Sequence, residues 1–85
     1  MTLEQLKEYY DVRNEIEFTF NEKKYSITYW YPDDSEENVW ISFCEFYKET
    51  TEVRTPDELW NNVSRDGYTV GEMLTSLSDE DIYVF

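Results

Sequence analysis

Between Glu15 and Lys48 the chain alternates apolar and polar residues three times over, and this period of two decides most of what it can fold into. Ile16, Phe18 and Phe20 fall on one face of a first segment, Glu15–Phe20. Tyr25, Ile27, Tyr29 and Tyr31 share one face of a second, Tyr25–Tyr31, and Val39, Ile41 and Phe43 share one face of a third, Val39–Phe43. Successive side chains leave a pleated strand on opposite sides, so β-branched and aromatic residues at this spacing predict three β-strands in a meander.

The register follows from the loops. Asn21-Glu22-Lys23-Lys24 separates the first two strands, and an even-length loop is needed to keep both apolar rows on one face. A four-residue loop pairs Phe20 with Tyr25, and a two-residue loop pairs Phe20 with Lys23. The longer loop is preferred, since Glu22 has no special tolerance for the positive φ of a tight primed turn. Pro32 closes the second strand, and Asp33–Asn38 forms a polar connection. Pairing Tyr31 with Val39 then sets Tyr29 against Ile41, Ile27 against Phe43, and Trp30 against Trp40 on the second face.

Helices flank this sheet. Thr2-Leu3-Glu4-Gln5 is a capping box, with Leu3, Leu6 and Tyr10 forming one stripe of a short helix that Asn14 ends. Phe46-Tyr47-Lys48 continues strand three, and Glu49–Arg54 reads as a connection. Thr55-Pro56-Asp57-Glu58 starts a second helix, with a cap, a proline in the first turn and acids at the positive end of the dipole. Asp66-Gly67 ends that helix or tips a hairpin; the helix stop is favoured because Thr69-Val70-Gly71-Glu72 opens a second capping box. Val70, Met73, Leu74 and Leu77 follow with clean helical spacing. Ser78–Asp81 is a turn and Ile82–Phe85 a last strand, which must cover a sheet edge. The expected architecture is a single two-layer α+β domain over residues 1–85: an antiparallel meander plus a C-terminal strand, in the order α-β-β-β-α-α-β.

Charge narrows the function classes. Twenty acidic residues stand against seven basic ones and no histidine, a net charge of −13. Such a field repels nucleic acid and anionic membranes, so no direct nucleic-acid binding and no membrane association are expected. No signal peptide or apolar span is visible, which predicts a soluble cytoplasmic protein. Without histidine the commonest general base and zinc ligand are missing, and Cys44 has no imidazole to activate it. There is no phosphate-binding glycine loop. Asp33-Asp34-Ser35-Glu36-Glu37 lacks the spacing of a calcium loop. An enzyme, a metal site and a cofactor are all unexpected.

Binding is the better class. The second sheet face carries Glu15, Glu17 and Thr19, then Ser26, Thr28 and Trp30, then Trp40, Ser42, Cys44 and Phe46. Burial of the tryptophans by Leu59 or Trp60 of the second helix is the favoured expectation, since exposed tryptophan pairs are costly for solubility. The alternative is an aromatic patch ringed by acids that binds a protein partner through Trp30, Trp40, Phe46, Asp33, Asp34, Glu36 and Glu37. A further alternative uses charge alone: a compact acidic domain imitates a nucleic-acid backbone and fills the basic groove of a DNA- or RNA-binding protein. In size and charge the chain is similar to small anti-restriction and anti-CRISPR proteins.

The stretches Thr2-Leu3-Glu4-Gln5-Leu6-Lys7, Ile16-Glu17-Phe18-Thr19-Phe20-Asn21 and Ile41-Ser42-Phe43-Cys44-Glu45-Phe46 resemble short uncharacterised acidic proteins of Gram-positive bacteria and their mobile elements. The resemblance implies a cellular setting and assigns no activity or site. The sequence thus reads as a small protein-binding or regulatory accessory module.

Overall fold

The alternating segments pair as expected in a computed structural model that describes residues Met1–Phe85. Strands β1 (Ile16–Phe20), β2 (Lys23–Trp30) and β3 (Trp40–Glu45) form the antiparallel meander. Ile27 lies opposite Phe43, Tyr29 opposite Ile41, and Trp30 opposite Trp40. The remaining elements are β4 (Thr50–Val53), α1 (Leu3–Asp11), α2 (Pro56–Asn62), β5 (Ser64–Arg65), β6 (Tyr68–Thr69), α3 (Val70–Ser76) and β7 (Ile82–Val84). The main sheet has the order β4-β3-β2-β1-β7, with β7 antiparallel to β1.

One face of this sheet carries the core. Ile16, Phe18, Tyr25, Ile27, Ile41, Phe43 and Val53 are buried together with Leu6 of α1, Leu59 of α2, and Val70, Met73 and Leu74 of α3. All three helices therefore lie on the same side, and no polar or charged side chain is buried beneath them. The Phe18, Tyr25 and Phe43 rings stack with centroids 5.4–6.3 Å apart, which adds attraction beyond area burial. Both capping boxes form, at Thr2/Gln5 and Thr69/Glu72.

Four local expectations are corrected. The β1–β2 turn is the two-residue loop, pairing Phe20 with Lys23, with Asn21 at φ 50° and Glu22 at φ 67°. Its primed twist matches the twist of the strands, and this outweighs the unfavourable backbone of Glu22. The stop of α1 lies one residue earlier than Asn14. Arg13 takes the left-handed position at φ 60°, its N–H donating to Tyr10 O and that of Asn14 to Tyr9 O, a Schellman ending. Strand three stops at Glu45, and Tyr47 turns the chain at φ 67° so that Thr50–Val53 returns as β4 rather than as a loose connection. Asp66-Gly67 tips the small β5–β6 hairpin instead of capping α2. Asp66 there accepts from Lys23 Nζ at 2.6 Å, a bond that raises the lysine pKa and ties this hairpin to the first turn.

Candidate functional site

The outer face of the sheet is built from the residues that alternate with the core. Glu17, Ser26, Cys44 and Thr50 form one row across β1 to β4; Thr28, Ser42 and Glu52 form the next; Trp30 and Trp40 end the series. No helix covers them. Leu59 points into the core, and Trp60 lies against Gly71 of α3, where a Cβ would come within 2.5 Å of the indole Nε1. The second helix therefore does not bury the tryptophan pair, contrary to the favoured expectation. The reason is geometric: the Thr55-capped start of α2 follows β4 directly, and the apolar residues Leu59 and Val63 pull the helix onto the core side.

Trp30 is 50% exposed, and Trp40 is half-buried. The Trp40 ring packs beneath the Arg54 guanidinium, whose central carbon is 4.6 Å from the ring centroid, so a cation rather than the neighbouring indole covers it. Arg54 follows a segment expected to be a connection that is instead strand β4. The alternation of Thr51 and Val53 against Glu52 and Arg54 is the signal that places it beside Trp40.

Comparison with known protein families, with characterised proteins and with solved structures gives no match.

The candidate residues do not form a single cluster. Trp30 and Trp40 stand at the end of β2 and β3, where the Asp33–Asn38 connection begins and ends. Asp33 is engaged within that loop, accepting from Ser35 N at 3.1 Å and Asn38 Nδ2 at 3.3 Å. Asp34 sits at φ 59°, and Asp34, Glu36 and Glu37 are exposed. Arg13 Nη2 donates to Glu36 O at 3.4 Å, drawing the loop toward α1 rather than over the indoles. Phe46 lies at the other end of the face, about 20 Å from Trp40 at the rise of a strand. It is half-buried, its N–H donates to Lys24 O, and it lines a small 50 Å³ hollow with Glu17, Thr19, Lys24 and Tyr83.

Two tyrosines at the core have raised phenol pKa values. Burial, above all, pushes the Tyr29 phenol up to about 12, and its O–H donates to Asn14 O at 2.8 Å. Burial likewise raises Tyr25. Cys44 Sγ is 3.3 Å from Ser26 Oγ, half-buried between strands. No three carboxylate or thiol groups converge as metal ligands would, and no helix is long and apolar enough to cross a membrane.

Proposed function

We propose that this protein is a small acidic protein-binding module, a regulatory or accessory component of bacterial cytoplasm that docks through its outer sheet face and catalyses no reaction. The observation that carries the reading is the half-exposed Trp30 beside the Arg54-capped Trp40 on a face that no helix shields. Tryptophan and arginine dominate binding hot spots because each buries a large surface while losing few degrees of freedom per contact. A side chain kept half in water at a solubility cost is explained if a partner covers it.

A second reading rests on charge. Only Asp57 and Asp66 of the twenty acidic side chains form ion pairs, so most of the field projects unneutralised, as a nucleic-acid mimic requires.

Capture of partners from source-cell lysate at low and high salt, with the wild type and with Trp30→Ala, separates the two. Hot-spot docking predicts a partner retained at high salt and weakened at least about 30-fold by Trp30→Ala in a folded protein. A basic partner lost as salt rises and indifferent to Trp30→Ala makes the protein a charge mimic.

A further inference from the structure

The two edges of the main sheet differ in kind. At β4 the outward-facing backbone belongs to residues with polar side chains, Thr50 and Glu52, and the Arg54 N–H is taken by Glu58 Oε1 at 3.0 Å. Such an edge resists pairing. At β7 the ladder fixes which groups are free. The Phe85 N–H donates to Glu15 O at 2.8 Å, so by the two-residue alternation Tyr83 also faces β1, and the Val84 N–H and C=O point away from the sheet. No charged side chain guards this strand: Tyr83 is 61%, Val84 39% and Phe85 63% exposed. On the helix side the edge borders a 190 Å³ groove lined by Met1, Gln5, Tyr9, Asp79, Ile82 and Val84. On the outer side Tyr83 and Phe85 stand next to Glu17 and Glu15. Neither the groove nor β7 contains a lysine or arginine.

We propose that β7 is a docking edge that takes an extended, basic segment of a partner protein as an added antiparallel strand. Residues directly opposite in an antiparallel pair share a face, so a segment alternating apolar and cationic residues fits both sides at once. Its apolar side chains enter the groove beside Val84, Met1 and Tyr9. Its cationic side chains lie over Tyr83 and Phe85, within reach of Glu15 and Glu17. The residue opposite Val84 exchanges both backbone bonds with it. The partner is basic because the carboxylates beside the strand, Glu15, Glu17 and Asp79, outnumber the cations there, Lys24 and the Met1 ammonium. The same carboxylates, on a chain of net charge −13, oppose a second copy at this edge. This surface is separate from the tryptophan face and does not rest on it.

The test uses a short capped peptide of alternating valine and lysine, with binding read by amide NMR on the intact protein. The wild type is expected to bind it with the Val84 amide shifted and newly protected from exchange. N-methylation of the valine amides, which face β7, should weaken binding at least about tenfold, whereas N-methylation of the lysine amides should leave it unchanged. Val84→Pro removes the free-side N–H together with the valine side chain at the groove and should weaken binding at least as much as valine methylation, while Trp30→Ala should bind normally. Equal binding of both methylated peptides, equal binding of a valine–glutamate peptide, absence of binding, or shifts confined to Trp30 and Trp40 each overturns the proposal. So does a wild-type dimer in sedimentation that Val84→Pro dissolves, which would assign the edge to a second copy.

Discussion

Replacing Glu22 by glycine should stabilise this protein although it removes a side chain and adds none. Glu22 is exposed and holds φ at 67° in the second position of the β1–β2 turn, after Asn21 at 50°. Both angles suit a primed turn, for which Asn-Gly is the favoured pair. A side chain in left-handed geometry costs about 1–2 kcal/mol because Cβ crowds the following carbonyl oxygen. Glycine removes that cost but gives back about 0.5–1 kcal/mol through the greater freedom of its unfolded chain. The net gain is about 0.5–1 kcal/mol, or roughly 2–8 °C in the thermal midpoint of a domain this size. One negative charge also disappears, in the same stabilising direction. Glu22→Ala isolates that effect, since alanine keeps the backbone conflict and should move the midpoint by less than half as much. Urea unfolding of the three proteins, followed by far-ultraviolet circular dichroism, gives the comparison. A glycine variant no more stable than the alanine variant would refute the two-residue turn and restore the longer loop that pairs Phe20 with Tyr25.

The two sheet faces should respond oppositely to truncation: Leu59→Ala should cost about 2–5 kcal/mol and Trp30→Ala less than about 1 kcal/mol in denaturant unfolding. Gly71→Ala should destabilise by about 1–3 kcal/mol, despite alanine's better helix propensity, because the new methyl displaces the Trp60 indole; tryptophan emission should shift with it. The thermal midpoint should climb from dilute buffer to moderate sodium chloride, because screening relieves self-repulsion that two exposed ion pairs do little to offset; a falling midpoint would contradict this. Tyr29 ionises at about 12 in the folded state and near 10 when unfolded, so its contribution is complete below pH 10 and is lost as pH rises toward 12. Stability measured across that window should decline, and Tyr29→Phe should flatten part of the decline.

Where several large residues repeated a period, the sequence was legible. Ile27, Tyr29, Ile41 and Phe43 share one face in any register of the same parity, and closing the Asp33–Asn38 connection by pairing Tyr31 with Val39 picked the one that puts Trp30 opposite Trp40. Strand β4 escaped because Val53 is its only large apolar residue. Its second inward position is Thr51, whose hydroxyl accepts from Arg65 Nη2 at 2.6 Å, a partner supplied by a distant hairpin. That hairpin was itself ambiguous, since Asp66-Gly67 serves a helix end and a primed turn equally well. Closure comes from the Val70 N–H donating to Val63 O at 2.8 Å, a bond between two residues that a helical reading assigns to separate stripes. The side of the sheet chosen by α2 decided whether the tryptophans were core or surface, and a seven-residue helix with two buried residues, Pro56 and Leu59, left little pattern from which to read it.

The last strand also has a kinetic meaning. The contacts of β1 with β2 and of β2 with β3 close over short loops, whereas the contact of Ile16 with Val84 closes a far longer one. Loop-closure entropy makes that pairing the late one, so the meander and its helices can condense while the outer edge of β1 still waits for its neighbour. Late-forming contacts act chiefly on unfolding rather than on folding rates. Substitutions in β7 should therefore shorten the lifetime of the native state without slowing its appearance.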